Sequence, residues 1–110
     1  MHPELEIDVE AVAALRRAGE AFLLLDCREP DEYELARIEA AVLIPMRVIP
    51  ERLAELEPHR ESRVIVHCHH GVRSLRVARF LRERGFRHAQ SMSGGIEAWS
   101  VAIDPNVPRY

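Results

Sequence analysis

The chemistry-bearing residues of this sequence are concentrated in one stretch, His67-Cys68-His69-His70-Gly71-Val72-Arg73-Ser74, between an apolar run and an amphipathic run. A cysteine at a strand-to-helix junction faces the unpaired N–H groups and the positive dipole end of the helix, and both favour a thiolate. Gly71 can adopt the positive φ that lets successive N–H groups converge on one point, and Arg73 adds a fixed positive charge. This pattern predicts group transfer through a covalent intermediate on Cys68, with Arg73 as the second catalytic residue.

The residues around these two are predicted to form a substrate-binding loop, made of His69, His70, Gly71, Val72 and Ser74. The histidines would lie at the mouth of the site. A structural reading, with Cys68 packed at a strand end and Arg73 solvated, explains each residue alone but not their spacing around a glycine turn. The histidines also suggest a metal, but adjacent strand residues point to opposite faces and no paired ligand spacing recurs. We therefore expect no metal site.

Short apolar runs and amphipathic runs alternate along the chain and place this loop at a sheet edge. Strands are predicted at Glu6–Asp8, Ala21–Asp26, Ala41–Ile44, Arg63–His67 and His88–Met92. Helices are predicted from Val9, capped by Asp8, to Gly19, then Pro30–Glu34, Pro50 to near Pro58, Val72–Arg84 before Gly85, and Gly95–Val101. The alternation indicates an α/β fold with a mostly parallel, about five-stranded sheet and helices on both faces. Ligands of such sheets bind beyond the carboxyl ends of the strands, where Cys68 lies.

Composition limits the class of protein. The 110 residues are 47% hydrophobic and 30% charged, as in a globular domain, so residues 1–110 are expected to form a single domain. A formal charge of −3 argues against nucleic acid or an anionic membrane as partner. No apolar run approaches the ~18 residues of a membrane span and no signal-peptide pattern opens the chain, so a cytoplasmic location is expected. All 15 basic residues are arginine, which excludes Schiff-base chemistry and a Walker lysine.

Three segments, in the same order as in the family, resemble the rhodanese family of sulfurtransferases. They are Leu24 to Tyr33 (LLDCREPDEY), the loop Cys68 to Ser74 (CHHGVRS), and Gly85-Phe86 followed by Ser93 to Trp99 (SGGIEAW). The resemblance covers nearly all of the chain. It implies a single-domain rhodanese-like fold in which Cys68 takes a sulfane sulfur as a persulfide and passes it to cyanide or a thiol.

The resemblance also implies further details of the site. The loop backbone from His69 through Arg73 would hold the transferred sulfur, and Asp26 and Arg28 would support the site. No cofactor is implied, and the substrate would be a small anionic donor such as thiosulfate. The last eight residues, Ile103 to Tyr110, resemble the ends of rhodanese domains joined to enzymes that activate sulfur-carrier proteins, so a thiol or a sulfur-carrier protein is a possible acceptor. Oligomeric state is not predicted.

The sequence departs from the family in one segment. Where the family usually reads Gly-His-Ile-Pro-Gly-Ala, this chain reads Ala36 to Ala41 as ARIEAA. Two glycines and a proline are missing from a turn, so the backbone between the second helix and the third strand must bend without easy positive φ.

Two other functions remain open at this stage. The order His-Cys-x-x-Gly, followed by Arg-Ser, is close to that of cysteine phosphatases and arsenate reductases, but with one residue fewer in the loop. Four residues separate Cys68 from Arg73, which suits one sulfur atom better than a tetrahedral phosphate, and only Asp31 or Asp104 could serve as general acid. The other alternative is a rhodanese-like sulfur-relay or binding module, whose catalytically silent form would lack the cysteine.

The second cysteine, Cys27, follows Asp26 at the end of the second strand. Because neighbouring strand residues face opposite ways, its thiol is expected to point into the packing of the sheet, away from the loop, with a pKa raised by burial. The pKa of Cys68 is expected to fall to about 6–7 from a free value near 8.5. The alternative is that Cys27 lies close enough to Cys68 to resolve its persulfide as a disulfide.

Overall fold

The computed structural model describes residues 4–110, and its strands form one parallel sheet. The strands are β1 Glu6–Ile7, β2 Leu23–Asp26, β3 Val42–Leu43, β4 Val64–His67 and β5 Ala89–Met92. Their order across the sheet is β1-β5-β4-β2-β3, with β4 in the middle, and every pairing is parallel. The predicted α/β fold is confirmed, and its carboxyl edge gathers the residues that follow β2 and β4.

Four α-helices alternate with the strands. They are α1 Val9–Arg17, α2 Pro30–Leu35, α3 Val72–Glu83 and α4 Gly95–Ala102. The predicted cap of α1 is present, because the Asp8 carboxylate accepts a hydrogen bond of 2.8 Å from the Ala11 N–H. No helix within residues 4–110 is long and apolar enough to cross a membrane.

Each face of the sheet carries its own apolar cluster. On one face, side chains from β2 and β4 pack against α3 and the segment after β3; this cluster includes Leu25, Val66, Ile49, Val77 and Leu81. On the other face they pack against α1 and α4; this cluster includes Leu24, Ile65, Val12, Ile96 and Trp99. The near-continuous apolar sequence of β2 and β4 follows from this double burial.

The helix predicted from Pro50 is wrong in type. The chain forms two 3₁₀ segments here, Met46–Val48 and Pro50–His59, and the second contains Pro58 and a kink at Arg52 with φ −109° and ψ 18°. Proline has no N–H to donate and its ring crowds the preceding turn, so closely spaced prolines prevent a regular α-helix.

The segment that departs from the family bends at Ala40. Its φ is +70°, and it is the one non-glycine residue with positive φ among residues 4–110. A left-handed conformation costs an L-residue with a Cβ about 1–2 kcal/mol. The Arg16 guanidinium donates to the Glu39 carbonyl beside it and helps hold the turn. One of the two missing glycines is therefore replaced by an alanine in the left-handed conformation, Ala40, whereas Ala36 at the other position is extended, with φ −160° and ψ 141°.

Candidate active site

Cys68 lies one residue beyond β4 at the carboxyl edge of the sheet and is 1% exposed. Its sulfur accepts hydrogen bonds from the N–H groups of Gly71, at 3.1 Å, and Ser74, at 3.3 Å. The loop can curl in this way because Gly71 has a φ of +107°. The predicted convergence of backbone N–H groups on Cys68 is therefore present at these two residues, in an arrangement that suits an anionic sulfur.

A pair of buried serines completes the surroundings of the sulfur. The Ser74 hydroxyl lies 3.4 Å from Cys68 Sγ and 2.7 Å from the hydroxyl of Ser91 on β5. When the sulfur is ionised it can only accept, so Ser74 donates to it and accepts from Ser91. Ser91 was not among the site residues predicted from the sequence. Its signal was a polar residue inside a fully buried strand, and only the pairing of β4 with β5 shows what it contacts.

The Cys27 thiol is buried in the packing of the sheet, as predicted, but the prediction that it points away from the loop is wrong. The register of β2 and β4 pairs Asp26 with His67. Cys27 and Cys68 are the next residues after this pair, so they lie side by side on the same face of the sheet. Both lie in the same apolar cluster, and the Cys27 thiol lowers the pKa of Cys68 more than any other group does. Alternation along a strand correctly separates Cys27 from Asp26, but it says nothing about the residue beside it on the next strand.

The two thiols affect each other in opposite directions. The hydrogen bond from Cys27 is the largest influence on the pKa of Cys68 and lowers it; the hydroxyl and N–H of Ser74 and the N–H of Gly71 also lower it, and burial opposes them. The net result is a pKa well below the ordinary value for a thiol. The pKa of Cys27 is raised, first by its bond to Cys68 and then by burial. At neutral pH the pair therefore consists of a Cys68 thiolate and a protonated Cys27.

Arg73 is held by a carboxylate that the sequence analysis had not assigned to the site. Its guanidinium donates two hydrogen bonds to Glu32 on α2, at 2.6 and 2.9 Å. Glu32 also accepts a 2.9 Å bond from the Tyr110 hydroxyl. The bond from Arg73 is the main cause that lowers the pKa of Glu32 to about 2. Arg73 thus fixes the start of α3 to α2, and much of its charge is compensated.

We expect Arg73 to act mainly through this two-bond contact. Arg73→Lys keeps the charge but loses the planar fork, and Glu32→Gln keeps the shape but loses the carboxylate. With thiosulfate as the donor that the resemblance implies, each should lower kcat/KM about tenfold, and the double variant should be no worse than either, since one contact is lost in all three. Steady-state assays of the four proteins test this. A Glu32→Gln variant faster than wild type would show instead that the uncompensated charge of Arg73 acts directly on the donor.

The remaining loop residues form the mouth of the site. The His69 ring is stacked between His70 and Tyr110, with ring centroids 3.9 Å away on each side. Val72 is 67% exposed. As the first residue of α3, it lies at this mouth and not in the interface between the helix and the sheet.

The backbone of the loop rests directly on the start of α4. The N–H groups of Ile96 and Glu97 donate to the carbonyls of Cys68, at 2.9 Å, and His69, at 3.2 Å. A Cβ at Gly95 would lie 2.6 Å from the Cys68 carbonyl oxygen, so only glycine fits there. Gly95, the first residue of α4, therefore lets the helix pack against the loop and hold it in position.

Asp26 and Arg28 support the site from the opposite face of the sheet. The Arg28 side chain is fully buried, and its guanidinium makes two bonds to the Asp26 carboxylate, at 2.9 and 2.7 Å. It also donates to the Ala36 carbonyl, at 2.7 Å, and to the Tyr110 hydroxyl, at 2.8 Å. Arg28 therefore ties the end of β2 to the end of α2, and it acts on Cys68 only through the elements that it holds.

His67 lies on that same face, and within residues 4–110 its two ring nitrogens have no hydrogen-bond partner. Its Nε2 is 3.8 Å from the Asp26 carboxylate. Burial lowers the pKa of His67. Because the folded-state pKa is below the unfolded value of about 6.5, the stability that this group contributes is complete above that pH and is lost as pH falls below it.

The corresponding prediction concerns acid sensitivity. From pH 7.5 to 5.5, wild type should lose up to about 1.4 kcal/mol more unfolding free energy than His67→Leu, since the unfolded wild type gains this proton more readily than the folded protein. Urea unfolding of both proteins at the two pH values measures it. Equal losses would contradict a neutral, buried His67.

Within residues 4–110, no three His, Cys, Asp or Glu side chains lie close enough together to bind a metal ion. The consecutive residues that raised the metal hypothesis are divided between the faces of the sheet. His67 lies with Asp26, and Cys68 lies with Cys27.

Comparison with known proteins gives relatives of one kind. Residues 8–102 match the model of the rhodanese-like domain family. A protein from Allochromatium vinosum named sulfurtransferase is 34% identical over 95 residues, which are 86% of this chain and 87% of that protein. Adenylyltransferase and sulfurtransferase MOCS3-2 of Zea mays is 36% identical over 97 residues, which are 84% of this chain but 20% of that protein.

The fold has close structural neighbours. A rhodanese-like domain protein from Staphylococcus aureus has a TM-score of 0.82 at 25% identity, with 97% of this chain and 99% of that chain covered. The chain spans only about a fifth to a third of the first curated relatives that it matches, and nearly all of the sulfurtransferase from Allochromatium vinosum. The match over residues 8–102, together with the parallel sheet and the cysteine loop at its edge, shows that the chain belongs to the rhodanese-like domain family.

Proposed function

We propose that this protein is a sulfurtransferase that carries a sulfane sulfur as a persulfide on Cys68. The observation that carries the proposal is the Cys68 sulfur itself, which accepts hydrogen bonds from the N–H groups of Gly71 and Ser74 in a buried site. These donors keep the sulfur ionised, and the thiolate is the nucleophilic form of cysteine. The relatives that are named sulfurtransferases support the same chemistry.

The reaction has two displacements. The Cys68 thiolate attacks the outer sulfur of thiosulfate, and the S–S bond of the donor breaks to release sulfite with its electron pair. The outer sulfur of the resulting persulfide is then attacked by cyanide or a thiolate, and the Cys68 thiolate leaves. The N–H groups of Gly71 and Ser74 bind the Cys68 sulfur in the free state, and the same groups stabilise it as the leaving group.

The physiological acceptor is proposed to be a thiol or a sulfur-carrier protein. Relatives include adenylyltransferase and sulfurtransferase proteins and a protein named as a putative sulfur carrier, YrkF of Bacillus subtilis, which is 35% identical over 95 residues. A persulfide intermediate requires reduced thiols, which suits the cytoplasm.

Sulfur transfer is favoured over phosphate-ester hydrolysis on a specific ground. A phosphatase needs an acid that protonates the leaving alkoxide. The carboxylate that contacts Arg73 of the loop is Glu32, and its two bonds from Arg73 hold its pKa at about 2, so it is ionised at neutral pH. Sulfur transfer needs no such proton donor.

The test is intact-mass spectrometry after incubation with thiosulfate and, separately, with an aryl phosphate. Thiosulfate should add the mass of one sulfur atom, which cyanide removes with release of thiocyanate, and the aryl phosphate should add nothing. A phosphorylated protein with no sulfur adduct from any sulfane donor would overturn the proposal in favour of a phosphatase.

A further inference from the structure

The two cysteines of this chain are immediate neighbours across the centre of the sheet. The residues before them, Asp26 and His67, are paired in the parallel register of β2 and β4. The Cys27 N–H donates to the His67 carbonyl at 3.1 Å, so this register continues to Cys27 and fixes its backbone beside Cys68. Adjacent strands are about 4.8 Å apart, and disulfides join Cα atoms about 4.4–6.8 Å apart. The pair therefore lies within reach of a covalent bond.

Nothing else of comparable reactivity reaches Cys27. Both cysteines are 1% exposed, and Cys27 is surrounded by the apolar cluster that includes Ile44, Ile49 and Val66. Cys68 belongs to the loop, whose N–H groups at Gly71 and Ser74 bind its sulfur, so a reagent that enters at the loop meets Cys68 before Cys27. Any chemistry of Cys27 must therefore pass through Cys68.

We propose that Cys27 is a resolving thiol, which attacks the Cys68 persulfide and converts it to an intramolecular disulfide. This rests on the proposed function. Cys27 Sγ bonds to the inner sulfur, Cys68 Sγ, and the bond from Cys68 Sγ to the outer sulfur breaks. The outer sulfur leaves with the electron pair and takes the Cys27 proton, so the products are the disulfide and hydrogen sulfide. The persulfide supplies the oxidising equivalents, and no other oxidant is consumed.

The arrangement makes this step conditional on the sulfur load. In the free protein the Cys68 thiolate accepts the Cys27 proton in a hydrogen bond and repels a second negative charge, which keeps Cys27 inert. Once Cys68 carries the outer sulfur, its own sulfur is uncharged and that restraint is gone. When an acceptor is present, the persulfide transfers its outer sulfur to that acceptor before Cys27 reacts. When no acceptor is present, the persulfide reacts with Cys27, and the resulting disulfide persists until a dithiol reduces it.

The local backbone can accommodate the bond. Cys27 and Cys68 lie just beyond the ends of β2 and β4, so closing the disulfide disturbs no pairing within the two strands. Cys68 is followed by a loop in which Gly71 has positive φ. The Cys68 side of the bond can therefore move with this loop, while the Cys27 backbone stays held by its N–H bond to the His67 carbonyl.

The experiment follows the loaded full-length protein without acceptor under argon. Wild type is charged with a small excess of thiosulfate, desalted, and sampled by intact-mass spectrometry and a sulfide assay. The sulfur adduct should decay to a species two hydrogen atoms lighter than the reduced protein, with one hydrogen sulfide released and the Cys27 and Cys68 peptides joined. In Cys27→Ser, which keeps a hydrogen-bond donor, the adduct should persist at least about tenfold longer and no lighter species should form.

Two controls keep the outcomes distinct. Cys27→Val removes the donor as well, so an adduct that is stable in both variants assigns the decay to the thiol and not to the hydrogen bond; circular dichroism verifies that both are folded. An adduct that decays equally fast in wild type and in both variants, or that decays without a Cys27–Cys68 bond, overturns the proposal.

A second route to the same bond separates this inference from the proposed function. A hydroperoxide oxidises a thiolate to a sulfenic acid, which condenses with a neighbouring thiol to a disulfide and water. Wild type treated with hydrogen peroxide should form the Cys27–Cys68 disulfide, and Cys27→Ser should proceed to higher oxides of Cys68. If thiosulfate adds no sulfur but peroxide forms the disulfide, the proposed sulfur transfer is contradicted and the resolving role of Cys27 is not. Failure of the disulfide to form by either route would refute the resolving role.

Discussion

Replacing Cys68 by serine should abolish sulfur transfer, with kcat/KM for thiosulfate at least about 10³-fold below wild type and no sulfur adduct in the mass spectrum. A serine hydroxyl is not ionised near neutral pH and is a poor nucleophile toward sulfur, even though the same donors from Gly71 and Ser74 surround it. The smaller oxygen fits the site, so the variant should remain folded. Steady-state assays with cyanide as acceptor and a circular-dichroism spectrum measure both effects.

The same site predicts a pH profile for the wild type. Alkylation of Cys68 by limiting iodoacetamide should follow a midpoint well below the free-thiol value of about 8.5. Removing the Cys27 hydrogen bond with Cys27→Val should raise that midpoint, whereas Cys27→Ser should largely preserve it. Preferential labelling of Cys27, or residual transfer by Cys68→Ser above one part in a hundred, would contradict the assignment of the nucleophile.

The cysteine loop could be predicted from the sequence because its determinants are local. An apolar strand, a cysteine, a glycine three residues later and an amphipathic helix lie within one stretch of chain, and the backbone between them has few alternatives. The observed φ of Gly71 and the N–H bonds to Cys68 follow from that order. The alternation of strands and helices likewise determined the parallel sheet, since each unit is contiguous in sequence.

The partners of the loop could not be predicted because they depend on register and on distant segments. Glu32 is one of several carboxylates on or beside α2, and only the fold shows that it meets Arg73, 41 residues away. Ser91 meets Ser74 through the pairing of β4 with β5, and Tyr110 meets His69 through the path of the chain after α4. Periodicity gives the face of a residue within its own element but not its neighbour on another.

The error over Cys27 shows the same limit most clearly. Alternation along β2 placed Cys27 opposite to Asp26, which the structure bears out. The inference that it therefore faced away from the loop needed the register between β2 and β4, which the sequence does not encode in any local pattern. A shift of one residue in that register would have separated the two thiols. The observed register brings them together.

The largest effect on stability is expected at Arg28. Arg28→Met leaves the Asp26 carboxylate fully buried without its two guanidinium bonds, and it also removes donors from the Ala36 carbonyl and the Tyr110 hydroxyl. Breaking a buried ion pair on one side costs about 3–5 kcal/mol, which is a large part of the ~5–15 kcal/mol that stabilises a domain. Urea unfolding at pH 7.5 should therefore show a much lower midpoint, and the variant should be partly unfolded at 37 °C.

Two matched changes identify the cause of that loss. In Arg28→Met with Asp26→Leu no unpaired charge remains, and replacement of a whole buried pair by apolar side chains is often close to neutral, so the double variant should regain at least half of the lost stability. Arg52→Met breaks an exposed pair with Glu55 and should leave the unfolding midpoint unchanged. If the double variant is no more stable than Arg28→Met, the unpaired Asp26 charge is not the cause. The bonds from Arg28 to α2 and Tyr110 must then hold this edge of the sheet together.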